Sequence, residues 1–234
     1  MRLPPALDSL RSGLEFRSME ARGAVRSRWR RLQGRHGAFT QGEVSARATR
    51  LTELWERRWP DVEPLGHMLR VECPDRWVRF HSLPESKRYA ENATDYEEIL
   101  RRHRTVLYEL LGSADSRALH GLYVIGVDWD WRDLAAGWTK RHLPGAWPWR
   151  SSAPNGDDGH HYFWAASDPP EPEIDALLLG AADDQCHIVI GAHDLSWLYC
   201  PYDGGADVLL PSKAERDALK ERHTDWLSSY PGGL

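Results

Sequence analysis

Cysteine and lysine are scarce in this chain, and long apolar runs are missing altogether. The three cysteines, Cys73, Cys186 and Cys200, are widely spaced and odd in number, which argues against a disulfide framework and for a reducing compartment. No segment approaches the roughly 18 apolar residues of a membrane span. The first residues also lack the apolar core of a secretory signal, so the expected location is cytoplasmic, with no membrane partner. G-x-S-x-G, G-x-G-x-x-G and G-x-x-x-x-G-K-[ST] do not occur, which removes the signatures of an α/β-hydrolase, a dinucleotide-binding domain and a P-loop. Lysine numbers four against twenty-six arginines, a bias that reads as the coding preference of a GC-rich genome.

One absence is local. Ser151 to Pro211 holds eleven carboxylates and no lysine or arginine, a single-sign stretch of the kind that steers association with a basic partner; the alternative is a merely solvated acidic face. The opposite bias sits at the start. Residues 1–50 carry eleven arginines and four acids, net +7, which leaves −12 on the remainder of a chain whose formal charge is −5.

With 234 residues, 41% apolar and 28% charged, the chain is long enough for one substantial core without covalent staples. Twelve tryptophans against four phenylalanines are unusual. Indole is seldom fully buried and its N–H needs an acceptor, so some tryptophans are expected at a groove or interface while the rest fill core.

Residues 1–45 are Arg-rich and interrupted by Gly and Pro, with too few apolar residues to offset the entropy of ordering them. They read as an extension, disordered or loosely helical: a dispensable tail or an over-extended reading frame with Met19 as the alternative start. Nucleic-acid contact is expected nowhere outside this tail. Residues 46–234 read as a single α+β domain. Helical spacing of Leu51, Leu54 and Trp55 predicts a helix from about Ser45 to Trp59, ended by Pro60. His67–Cys73 and Arg76–Ser82 read as two strands of a hairpin. Thr94 and Glu97 form a capping box for a helix that Gly112 closes. Leu119–Val127 reads as a buried central strand, and the Trp-, Gly- and Pro-rich segment 129–159 as a partly ordered excursion with a helical turn near Asp133–Trp138. A strand over His160–Ser167 follows, then a helix opened by Asp168-Pro169, and a buried strand over Cys186–Ala192. Leu195–Leu210 reads as a hairpin around Asp203-Gly204-Gly205, and Ser212 with Glu215 starts a last helix running toward Tyr230. Connections this short favour antiparallel pairing, so the expected fold is α+β, a mostly antiparallel sheet packed by three to four helices.

Polar chemistry concentrates around the second of those strands and the loop after it, at Arg79, His81, Glu85, Lys87, Arg88 and Tyr89. Asp203 suits the head of a Gly-Gly turn, where a carboxylate accepts backbone N–H groups. Asp207 enters an apolar strand and therefore needs a partner, for which Arg79 and Arg88 are the candidates. Glu85-Ser86-Lys87, preceded by Pro74-Asp75, matches the residue types of a metal-dependent PD-(D/E)xK nuclease, in which two carboxylates hold Mg²⁺ and the lysine steadies water. Pro84 speaks against the strand that should carry that triplet. His160, His161, His187 and His193 lie near Cys186 and Cys200 in sequence, but no zinc spacing occurs, and adjacent histidines on a strand face opposite ways. No catalytic residue is assigned, and no metal or cofactor is expected.

Residues 197–227, WLYCPYDGGADVLLPSKAERDALKERHTDWL, resemble the C-terminal signature of an uncharacterised bacterial family, the domain of unknown function numbered 3885. In that family a Tyr-Asp turn, a Gly, an Asp-Val pair and a helix ending in Asp-Trp recur in this order. Residues 77–91, WVRFHSLPESKRYAE, are similar to a recurrent signature of hypothetical bacterial proteins. The turn Asp203–Asp207 departs from the family pattern by being one residue shorter and lacking an Arg. The family's association with toxin-delivery or recombination-hotspot elements implies an immunity-type binder. The leading expectation is thus a cytoplasmic binding protein whose acidic, Trp-rich surface, Trp197 included, engages a basic, toxin-like protein; the alternative is a Mg-dependent nuclease using Asp75, Glu85 and Lys87.

Overall fold

The computed structural model describes residues 46–112, 119–129, 142–152 and 161–228. The expectations for residues 1–45, for a turn near Asp133–Trp138, for His160 and for Tyr230 lie outside the described residues. Seven strands form one antiparallel sheet: β1 (Trp77–His81), β2 (Leu122–Trp129), β3 (Trp147–Ser151), β4 (His161–Ser167), β5 (His187–Ala192), β6 (Leu198–Tyr202) and β7 (Gly205–Leu209). Their spatial order is β1-β7-β6-β5-β2-β4-β3. Five helices accompany them among the described residues: α1 (Ala46–Arg58), α2 (Gly66–Glu72), α3 (Ala93–Leu110), α4 (Glu171–Ala182) and α5 (Lys213–Arg222).

Period-two alternation sends side chains to opposite faces of the sheet, and here both faces are covered. Val78, Phe80, Val124, Ile188, Tyr199 and Val208 pack under α3, α4 and α5, which contribute Val106, Leu107, Ile174, Leu177 and Leu219. Ile125, Phe163, Val189, Leu198, Cys200 and Leu209 point the other way, under Leu51 and Trp55 of α1 and Leu69 of α2. The fold is α+β, as the sequence implies.

Several local expectations are corrected. His67–Cys73 lies mostly in helix α2, not in a strand. Gly66 opens it where a Cβ would stand 3.0 Å from Cys200 Cβ, a tight contact that glycine relieves between α2 and β6. Without a neighbouring strand in sequence, β1 pairs with β7 instead, Trp77 opposite Leu209 through His81 opposite Gly205. The N-cap of α3 is Asn92, whose side chain accepts the Asp95 N–H at 3.0 Å, so Thr94 lies inside the helix. Asp168 does not cap α4. With φ at 48° it turns back and accepts the N–H groups of Gly121 (2.7 Å) and Leu122 (2.9 Å), tying down the start of β2. Ser212 caps α5 as expected, but the helix stops at Arg222 and a single 3₁₀ turn, Thr224–Trp226, follows. Strand β3 arises within the segment read as an excursion.

Sheet edges are blunted at both ends. On β1, the outward carbonyls of Trp77 and His81 accept from Arg216 (3.3 Å) and Arg102 (3.0 Å). On β3, Pro148 and a register shift between Pro148 and Arg150 break the ladder. Both are recognised ways of refusing a further strand.

Candidate functional site

The β6–β7 hairpin closes through Asp203 and Gly204, the latter at φ 105°, so Gly205 is the first residue of β7 and not part of the turn. A Cβ on Gly205 would stand 2.2 Å from the Phe80 carbonyl oxygen, which explains the second glycine by close approach of β1. Two residues on, Asp207 faces Arg79 directly across the strand pair. Backbone bonds from Leu210 N to Arg76 O and from Ser82 N to Gly204 O place the hydrogen-bonded rungs at even numbers on β1. Arg79 and Asp207 therefore occupy a non-hydrogen-bonded rung, where opposed side chains stand closest.

The result is a bidentate ion pair, Nε to Oδ1 at 2.8 Å and Nη2 to Oδ2 at 3.3 Å, with the Asp207 side chain buried and that of Arg79 12% exposed. The Arg79 guanidinium also lies over the rings of Tyr202 (4.9 Å) and Trp77 (5.4 Å). Burial alone would lower its pKa, but the hydrogen bond and charge of Asp207 hold it above the ordinary arginine value. A second guanidinium, Arg70 from α2, comes to 3.9 Å of Asp207.

These groups floor an open cavity of about 440 Å³ between α2 and the sheet, lined also by Leu65, Val127, Asp184, His187, Val189, Cys200 and Tyr202. Burial pushes the Cys200 thiol up, and the Asp207 charge adds to this; the Tyr202 phenol is likewise raised by burial. Neither group is an activated nucleophile or acid, because activation requires the opposite shift.

Beside the hairpin turn, Asp203 accepts from Arg88 (Nε, 2.5 Å) and from the Tyr89 hydroxyl (2.8 Å). Arg88 stacks on Tyr89, with its guanidinium 5.2 Å from the ring centroid. The Tyr89 pKa is raised first by its hydrogen bond to Asp203, as expected for a donor whose proton is shared with a carboxylate. Tyr89 stays 47% exposed, one of two large apolar side chains that are exposed among the described residues.

Of the sequence-selected residues, Arg79, Arg88, Tyr89, Asp203 and Asp207 thus meet around the β6–β7 hairpin. His81 lies on the same face of β1 as Arg79, and burial lowers its pKa before the nearby charges of Arg79 and Arg102 lower it further. Lys87 is turned to α3 and bonds Asp95 (2.6 Å) and Glu91 (3.0 Å). Glu85 is exposed in the Pro84–Ser86 turn at φ 55°. Trp197, expected at the contact surface, is buried at 5% exposure in the core beneath α3 and α4. Trp55, Trp59 and Trp149 are buried and place their indole N–H groups on Val62 O, Leu195 O and Thr52 Oγ1.

The acidic stretch also changes character on folding. Arginines from outside it come to its carboxylates: Arg58 to Asp194, Arg79 to Asp207, Arg88 to Asp203, and Arg104 to Glu171 and Asp175. Residues 161–211 are therefore not a bare acidic face, because counter-charges arrive from residues 58–104 through the fold.

The nuclease arrangement does not assemble. Asp75 sits in the turn before β1, while Glu85 and Lys87 follow its other end. Five residues of strand separate those ends by about 13 Å, too far for a shared cation. At the opposite end of the sheet Ser167, His193 and Asp168 cluster, but the serine hydroxyl (3.0 Å) and the carboxylate (3.2 Å) both approach Nε2 of His193. A relay needs opposite ring nitrogens. Among the described residues no group of three His, Cys, Asp or Glu side chains is placed to hold a metal ion.

Arg70 and Asp184 went unnoticed in the sequence, and His187 and Tyr202 were not read as lining a common cavity. Arg70 was hidden by reading α2 as a strand; a helical reading from Gly66, with Leu65 and Leu69 four apart on one face, would have placed it one residue beyond the buried Leu69.

A family profile described as "Domain of unknown function (DUF3885)" matches residues 65–231, most of the chain and the whole of this site. No curated protein and no solved structure matches the chain.

Proposed function

The chain belongs to the DUF3885 family, and on that premise we propose that it is a binding protein, immunity-type in kind, whose recognition surface is the sheet end around the β6–β7 hairpin. The observation that carries this reading is the pairing of Arg79 with Asp207 in the open cavity and of Arg88 and Tyr89 with Asp203 at the hairpin turn. Tyrosine and arginine are the side chains most enriched at binding hot spots. Here both are held in place before any partner arrives, by a carboxylate that is itself largely buried. Preorganisation of that kind lowers the entropic cost of association.

A protein partner with a basic surface fits the charge of the chain beyond residue 50, nineteen basic against thirty-one acidic residues. The attraction is spread over the body and not focused on residues 151–211, so it favours encounter rate over site selection. Recognition then rests on Tyr89 and Arg88. The test is co-expression with the product of the neighbouring gene, followed by size-exclusion chromatography at low salt. A co-eluting complex that Tyr89→Ala weakens supports the reading; no complex, or one indifferent to Tyr89→Ala and Arg88→Ala, overturns it.

A further inference from the structure

Charges around the cavity match in pairs until one cation is left over. Arg79 holds both oxygens of Asp207, and Arg88 holds Asp203. Arg70 reaches the same floor, yet it stands 3.9 Å from Asp207, beyond hydrogen-bond distance, and makes no hydrogen bond among the described residues. Its side chain is 29% exposed, so the charge is partly withdrawn from water without being neutralised at close range. Asp184, the other carboxylate on the lining, is exposed and lies near Arg88, so solvent screens it and it offsets the interior cation weakly.

Leu65, Val127 and Val189 form an apolar wall beside the charged floor, with His67, His187 and Tyr202 also on the lining, giving the mixture typical of a ligand pocket: an apolar wall and a few convergent polar groups. At about 440 Å³ the cavity is larger than a lone carboxylate or phosphate needs. A compact inorganic anion would satisfy Arg70 and leave the apolar wall wet.

We propose that this cavity binds a carboxylate with an apolar body, the carboxylate on the Arg70 fork and the body against Leu65, Val127 and Val189. A planar guanidinium with free donors fits a carboxylate through two parallel hydrogen bonds, which lysine cannot reproduce. The same chemistry comes from two sources, a free small acid or the C-terminal residue of a protein chain. The inference rests on the reading of this sheet end as a binding surface, and it does not depend on which protein is the partner.

The experiment is calorimetric titration of the full chain with hexanoate and hexanamide, and with a short peptide ending in leucine as free acid and as amide. The acids bind, and the amides bind roughly tenfold or more weakly because a charge-assisted pair is lost. Arg70→Gln removes the difference between acid and amide, and Arg70→Lys restores part of it; thermal melts check that both variants are folded. Preference for hexanoate identifies a free acid as the source, preference for the peptide a chain terminus. Equal binding of acid and amide, no binding of either acid at about 1 mM, or an unchanged preference in folded Arg70→Gln overturns the proposal. Acid binding without any partner complex would sink the protein-partner reading and leave this pocket assignment standing.

Discussion

Removing Asp207 tests how the hairpin and the first strand are held together. In Asp207→Ala the Arg79 guanidinium, 12% exposed, loses the carboxylate that occupied both its Nε and Nη2, and Arg70 loses its only nearby counter-charge among the described residues. Breaking a buried pair by deleting one partner costs about 3–5 kcal/mol, because an uncompensated charge stays behind. The lower end applies, since the cavity beside Asp207 admits water to one side of Arg79. About 3 kcal/mol is therefore expected in urea denaturation, or ~6–12 °C in melting temperature for a chain of this size. The double variant Arg79→Met with Asp207→Leu removes both charges and keeps apolar bulk, so it should recover most of the loss. Asp207→Ala within about 1 kcal/mol of the parent, or a double variant no more stable than the single one, would refute the assignment of this pair as a buried, mutually dependent unit.

Other consequences concern packing, titration and capping. Gly205→Ala forces a methyl group into the Phe80 carbonyl, 2.2 Å away, and should cost more than about 3 kcal/mol or abolish soluble expression; stability close to that of the parent would contradict the β1–β7 approach. His103 is buried, with Nδ1 2.5 Å from the Tyr199 hydroxyl, and burial lowers its pKa to about 4. The unfolded chain takes up that proton near pH 6.5 while the folded one resists it, so stability should fall as pH drops from about 6.5 to about 4, by up to ~3 kcal/mol. His103→Gln, which cannot titrate, should flatten urea stability measured across that window, and an unchanged slope would assign it elsewhere. Asn92→Ala should cost about 1 kcal/mol through loss of the α3 cap, whereas Thr94→Ala should stay within about 0.5 kcal/mol; the reverse order in thermal melts would restore Thr94 as the cap.

What the sequence disclosed was whatever a short window determines. The hairpin was legible because strand-type runs flank Asp203-Gly204, and the Ser212–Glu215 cap because both partners lie within one helical turn. Helix α2 was misread because its seven residues are too few for helical spacing to stand out against β-favouring Val71. The Asn92 cap was missed because Thr94 and Glu97 matched a familiar pattern while Asn92, two residues earlier, formed the actual bond. Pairing between Arg79 and Asp207 was one of two candidates in the sequence. The choice against Arg88 was made by register across a sequence separation of 128, which no local signal encodes. The acidic stretch misled for a related reason: a run of one sign in sequence says nothing about which arginines the fold will bring to it. Trp197, read as a surface anchor, went into the core, and Trp55, Trp59 and Trp149 found acceptors for their indole N–H groups inside the protein.

Amide hydrogen exchange on the chain alone and with the neighbouring gene's product tests the central claim most directly, because it locates a contact surface without mutating it. Slowed exchange confined to residues 82–92, 184–189 and 200–205, around Tyr89, Asp184 and the Asp203–Gly204 turn, is the predicted result. Protection on the outer faces of α3, α4 and α5 instead, or none anywhere at low salt, would contradict it.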